Sequence, residues 1–256
     1  MDTLKRTLIE KTGNDYGFEY VISSDPGEVV LASARHPLRV GVALKNSVYI
    51  ISLKNPTSTL VSELIRQYEI KDEEIIQCSG GDSLADLLKR ISSLGQSLPN
   101  QAKNEYDVVV KKELEKLPDS IKGTEVERMV RQRVGQQTYR KALMEYWGGA
   151  CAVTGVSVSD VLRASHAKPW AECKSDNERL NVFNGFLLSA NLDALFDKFL
   201  ISFTDNGEII INLSITSEDL VRLGINSNMK LRWIMPEHLV YLEYHRNKFL
   251  QTCEYN

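Results

Sequence analysis

The stretch Arg163-Ala-Ser-His-Ala-Lys-Pro-Trp170, followed by Asn184-Gly-Phe-Leu-Leu188 and Asn191-Leu-Asp-Ala-Leu-Phe-Asp197, decides how this chain is read. A short strand over 162–164 leads to His166, Asn184-Gly185 is a turn signal ahead of an apolar second strand, and Leu192, Ala194 and Leu195 favour a helix. Asp193 and Asp197 stand at i and i+4, so on a helix they project from one face, one turn apart. Like charges at that spacing repel, and a hard divalent cation that prefers carboxylate and water oxygens is the simplest compensation. A neutral imidazole such as that of His166 suits removal of a proton from water. Taken singly, each feature has a bland meaning: a structural histidine, a turn, a solvated helix face. Their joint occurrence in a strand, loop, strand, helix order points to metal-dependent phosphodiester hydrolysis.

Over residues 136–203 the chain resembles the HNH endonuclease family, in the branch found in bacterial restriction-type nucleases. The resemblance rests on Gln136-Gln-Thr-Tyr-Arg140, Tyr146-Trp-Gly-Gly-Ala-Cys-Ala-Val-Thr-Gly155, Ala164-Ser-His-Ala-Lys-Pro-Trp170, Asn184-Gly-Phe-Leu-Leu188 and Leu195-Phe-Asp197. It implies a ββα-metal fold with His166 as general base, Asn184 bracing the loop that aims it, and Asp193 and Asp197 as helix-borne metal ligands. Ser165 and Asn191 are further candidates for the metal or the substrate. Two departures mark this chain. The last histidine of the family name is absent, with Asp193 or Asn191 near its place, and Ser165 stands before the base where the family often carries an Asp or His ligand. A carboxylate in place of an imidazole shifts a site towards hard ions, so one divalent ion is expected, Mg²⁺ ahead of Mn²⁺.

The implied activity is hydrolysis of DNA phosphodiester bonds, on double-stranded DNA, in a restriction or defence setting. The alternatives are a catalytically degenerate HNH-fold module that binds nucleic acid without cutting it, and an RNA-directed nuclease. One site cuts one strand, which favours a homodimer for double-strand breaks.

The chain has 256 residues, 43% of them hydrophobic and 25% charged, too long for one small nuclease module, so two domains are expected. The net charge of -3 excludes a global basic field, and any nucleic-acid contact must come from a local patch. Cys78, Cys151, Cys173 and Cys253 form no C-x-x-C pair, so neither structural zinc nor a disulfide framework is expected. The first residues lack an apolar signal core and no stretch approaches about 20 apolar residues, which implies a cytoplasmic protein with no membrane partner.

The expected fold class is α+β. Residues 1–100 read as an α+β domain with an antiparallel sheet and a role in target recognition by analogy. A helix over 3–11 precedes strands at 18–22, 29–32, 38–44 and 47–53, the last two a hairpin across Lys45-Asn46. Helical spacing follows in Leu60, Leu64 and Tyr68, and again in Leu84, Leu88 and Ile91, the latter after a capping turn at Ser79-Gly-Gly-Asp82. His36, before Pro37, reads as a strand-entry residue. Leu98-Pro-Asn-Gln101 marks the boundary, and 101–135 reads as a helical connector broken over 118–124.

Thr124 with Glu127 reads as a capping box, and Gly135 as the start of a new helix. The basic run Arg128, Arg131, Arg133, Arg140 and Lys141, with Lys168 nearer the site, is equally a solvated surface and a set of phosphate contacts. Arg133, Arg140, Lys141 and Lys168 are the candidates for nucleic-acid binding, and Arg179 suits the surface. Residues 136–256 form the nuclease domain: a strand over 151–154, the motif, a hairpin around Asp205-Asn206-Gly207 and a tail helix over 239–250. Trp170 reads as core packing, with stacking at the site or covering it as the other readings. His238 and His245 share a face of the tail, where a second metal site is the minor reading and phosphate binding by His245-Arg246 remains open.

Overall fold

The computed structural model describes all residues except 69, 73–74, 99–100, 119–122 and 255–256. The chain divides into two compact units, Met1–Gln101 and Ala102–Asn256. Pro99 and Asn100 of the expected boundary, and most of the expected break over 118–124, lie outside the described residues.

In the first unit, helix α1 (Thr3–Asp15) precedes strands β1 (Tyr20–Ser24), β2 (Val29–Ala32), β3 (Arg39–Lys45) and β4 (Val48–Lys54). After α2 (Ser58–Gln67) come β5 (Ile70–Asp72), β6 (Ile75–Ser79) and α3 (Gly81–Ser97). The six strands form one antiparallel sheet in the order β1-β2-β3-β4-β6-β5. The β3–β4 turn falls on Asn46-Ser47, one residue beyond the expected Lys45-Asn46, because both residues adopt positive φ (50° and 65°) and so close a two-residue hairpin. Alternation explains the sheet's stability: Tyr49, Ile51 and Leu53 of β4 are buried while the residues between them are half-exposed. His36 is buried, its ring edge-on to Phe18 and 3.2 Å from the Ser92 hydroxyl.

The second unit holds α4 (Gln101–Glu115), α5 (Thr124–Tyr146), β7 (Leu162–His166), a short helix α6 (Asp176–Arg179), β8 (Gly185–Ser189) and α7 (Ala190–Asp197). Strands β9 (Ile201–Phe203) and β10 (Ile209–Ile211), the short α8 (Ser217–Arg222) and the long α9 (Pro236–Glu254) complete it. Strands β7 and β8 form an antiparallel hairpin in which His166 faces Gly185. All five residues of β8 are buried, since α5 and α7 both pack on the hairpin. Phe186 is the hub, edge-on to Phe196 of α7 and to Phe203 of β9 at 5.7 and 5.6 Å.

Several expectations are corrected here. Helix α5 runs unbroken through Gly135, where a Cβ would stand 2.1 Å from the Trp170 ring; the glycine admits an indole and does not end the helix. Thr124 does not cap it: the cap position is Gly123 with no side-chain hydrogen bond, and Glu127 pairs with Arg131. Residues 151–154 form a turn, closed by the Gly155 N–H on the Cys151 carbonyl with Gly155 at φ 72°. The Cys151 thiol accepts backbone N–H groups from Thr154 and Ser189, which ties this turn to the end of β8. His238 and His245 are both fully buried, and among the described residues they join no group of three metal-ligating side chains. His245 stacks on Phe196 at 3.7 Å and bonds the Ser202 hydroxyl and the Phe196 carbonyl, supporting α7 from behind. Arg246 is taken up by Asp205 and the Phe203 carbonyl. No helix among the described residues is long and apolar enough to cross a membrane.

Candidate active site

His166 ends β7, and its surroundings fix the ring in position and protonation. The Tyr139 ring stacks on it with centroids 3.8 Å apart and planes 19° from parallel, and Trp170 meets it edge-on at 5.8 Å. Its Nε2 lies 2.8 Å from the Arg179 carbonyl oxygen. A carbonyl only accepts, so Nε2 carries the proton and Nδ1 keeps its lone pair. Burial holds the imidazole down to about 4, against smaller opposing effects of the Arg179 carbonyl and the Asp197 charge, so the ring is neutral at pH 7.

Asn184, fully buried at the entry to β8, closes the loop between the strands. Its Oδ1 accepts the Lys168 N–H at 2.8 Å, and its Nδ2 donates to the Glu178 carbonyl at 3.1 Å and the Lys168 carbonyl at 3.3 Å. Its own carbonyl accepts from the Tyr139 hydroxyl at 2.8 Å and the Ala167 N–H at 3.1 Å. The glycine that follows is required: a Cβ on Gly185 would stand 1.9 Å from the Ser165 carbonyl oxygen and 2.4 Å from the Tyr139 hydroxyl, and its φ is 153°.

Asp193 and Asp197 lie on α7, one turn apart. Asp193 is half-buried, and the Ser165 hydroxyl donates to its Oδ1. Its carboxyl is raised above the ordinary range by burial and by the Asp197 charge, with the Ser165 bond and Arg163 pulling the other way. Asp197 is exposed, 3.9 Å from the Lys198 ammonium. His166 and Asp197 interact electrostatically, and Ser165, next to the base in sequence, touches Asp193. Asn191 is turned away, donating to the Leu223 carbonyl and accepting from the Ser189 hydroxyl, both at 2.7 Å.

Among the described residues no three His, Cys, Asp or Glu side chains converge as a ready-made metal cage. What the site offers is two carboxylates one turn apart, the inner one half-buried with no ion pair among the described residues. That donor set fits a hard ion that keeps most of its water and takes the remaining ligands from phosphate.

The candidate phosphate contacts all have partners. Arg133 pairs with Glu113, Lys141 with Glu105 and Lys168 with Glu178, at 2.6–2.9 Å. Arg140 donates to the Leu162 and Ser159 carbonyls, tying α5 to the start of β7. Arg179 is engaged by Asp176 and by the Trp170 and Cys173 carbonyls, so it organises the loop that carries the acceptor for His166. Sequence reasoning missed this aromatic and carbonyl setting of the base. Tyr139 lay within the apolar helical spacing of Tyr139, Leu143 and Trp147 and gave no separate signal, whereas Gly135 and Gly185, each opposite an aromatic side chain, were the available one.

No curated protein matches the chain. Residues 151–204 match a family model described as HNH endonuclease, which supports a nuclease of the HNH type with nucleic acid as substrate. The matched residues run from the Cys151 turn through β7, β8 and α7 to the end of β9, and over this segment the chain is similar to the HNH endonuclease family.

Proposed function

We propose that the second unit hydrolyses phosphodiester bonds in double-stranded DNA, with His166 as general base and a Mg²⁺-type ion, or Mn²⁺, held by Asp193 and Asp197. The observation that carries this is the tautomer: the Arg179 carbonyl fixes the proton on Nε2 and leaves Nδ1 as a neutral proton acceptor. Nδ1 takes the proton of the attacking water. Tyr139 and Trp170 restrict the ring, Asn184 holds the loop between the strands, and Ser165 orients the Asp193 carboxylate. The bound ion supplies charge stabilisation at the scissile phosphate and the departing oxygen. Phosphate contact by Arg133, Lys141 or Lys168 exchanges a carboxylate for the substrate, so affinity falls steeply with salt. Arg140 serves at one remove by fixing α5 against β7. A restriction or defence setting and a homodimer for double-strand breaks complete this reading.

Plasmid cleavage tests it. Wild type with Mg²⁺ or Mn²⁺ should nick, EDTA should stop it, and His166→Ala should lose about 10²-fold or more. Equal cutting by both proteins refutes the base. One observation favours the second reading, a module that binds without cutting: no third metal-ligating side chain joins the two acids among the described residues. That reading predicts DNA retardation indifferent to EDTA and no nicking with any ion.

A further inference from the structure

Behind the base lies a cavity of about 680 Å³ whose walls include Tyr106 of α4, Arg128 and Arg131 of α5, and the loop residues Trp170 and Arg179. Two of these walls belong to the site already described. Trp170 meets the His166 ring edge-on, and the Arg179 carbonyl accepts from His166. The lining carries three arginines and two carboxylates, Glu127 and Asp176, with a third carboxylate, Glu125, on Arg128. The arginines are held in different ways. Arg179 is locked by Asp176 and two carbonyls, and Arg131 bonds Glu127. Among the described residues Arg128 meets the exposed Glu125 alone, so its partner is easily exchanged. The indole of Trp170, inserted against Gly135, is a rigid aromatic surface in this lining. A volume within the ordinary range for ligand pockets, guanidinium forks and an indole together suit an anion attached to a flat aromatic group.

We propose that this cavity is a nucleotide subsite, taking one unstacked nucleotide of the nucleic acid being cut, its base against Trp170 and its phosphate at Arg128 and Arg131. The proposal rests on the nuclease reading and adds to it that the substrate is engaged through an unpaired or extruded nucleotide beside the cut. Extrusion costs a few kcal/mol in a duplex and least at a mismatch or in a single strand. The same enzyme therefore prefers substrates with an unpaired nucleotide near the cleaved bond.

Isothermal titration of the full chain with a nucleoside 5′-monophosphate, without metal, tests this independently of cutting. Saturable binding is expected, weakened about tenfold or more by Arg131→Ala and by Trp170→Leu. Arg128→Ala, at an exposed pair whose loss does not threaten folding, should weaken it in the same direction. No saturable binding overturns the subsite. So does binding as tight in both Arg128→Ala and Arg131→Ala as in wild type, and so does inorganic phosphate matching the nucleotide with Trp170→Leu unaffected. Binding without plasmid cleavage sinks the nuclease reading alone; His166-dependent cleavage without nucleotide binding sinks the subsite alone.

Discussion

The ring of Tyr139 lies face to face with that of His166, centroids 3.8 Å apart, while its hydroxyl donates to the carbonyl of Asn184. One side chain of α5 thus touches both the proposed base and the residue that closes the loop between β7 and β8. Tyr139→Phe keeps the stack and drops the hydroxyl; the Asn184 carbonyl retains the Ala167 N–H, so stability should fall by only about 1 kcal/mol and cutting should persist. Tyr139→Ala removes the stack and opens a core cavity, at about 3–5 kcal/mol. Urea unfolding with single-turnover cleavage reads both; a Tyr139→Ala protein of unchanged stability contradicts the packing described.

Gly185→Ala should be among the most damaging single-methyl changes in the second unit. The added carbon meets the Ser165 carbonyl and the Tyr139 hydroxyl at a φ that L residues rarely adopt. A loss of roughly 2–3 kcal/mol is expected from strain and displaced backbone together. Thermal unfolding checks it, and a wild-type Tm would show that the β7–β8 approach is looser than described.

Asp193→Asn should stabilise the fold and abolish metal-dependent cutting. The carboxyl is raised by burial and by Asp197, so at neutral pH its charged form is held at a cost in the folded state; the sign is a destabilisation that appears above the ordinary carboxylate range. A neutral amide removes that cost and the ligand together. A variant that unfolds at lower temperature than wild type, while still folded at 25 °C, contradicts this sign.

The chain should lose stability between about pH 6.5 and pH 4. His36, His166 and His245 are each held down to about 4, chiefly by burial, from 6.5. The unfolded chain therefore takes up protons first as pH falls; the stability due to neutral rings is whole above about pH 6.5 and is withdrawn towards pH 4. At about 1.4 kcal/mol per pKa unit, each ring withdraws roughly 3 kcal/mol across that window. Both units are affected, since His36 lies in the first and the others in the second. Urea midpoints at pH 7 and pH 5 measure it, and equal midpoints would show that these rings are solvated.

The motif order in 163–197 was legible because strand, turn and helix periodicities are local, and the hairpin and helix stand where that order puts them. Gly135 and residues 151–154 were misread for separate physical reasons. Glycine in a helix signals either a break or a close approach, and only the position of Trp170 decides between them. The short apolar run from Cys151 looked like a strand because apolar content cannot distinguish a strand from a buried turn tied down by its thiol. The stacking of Tyr139 on His166 was invisible because Tyr139 reaches it from 27 positions upstream, and a core spacing hides such a contact.

The central claim is that Nδ1 of a neutral His166 takes the proton from water in strand cleavage. His166→Gly leaves a ring-sized space beside Tyr139, and single-turnover cleavage of labelled DNA with Mg²⁺ can be followed with and without added imidazole. The account predicts a loss of about 10²-fold or more that free imidazole partly restores. Cleavage by His166→Gly at the wild-type rate, with or without imidazole, would contradict it.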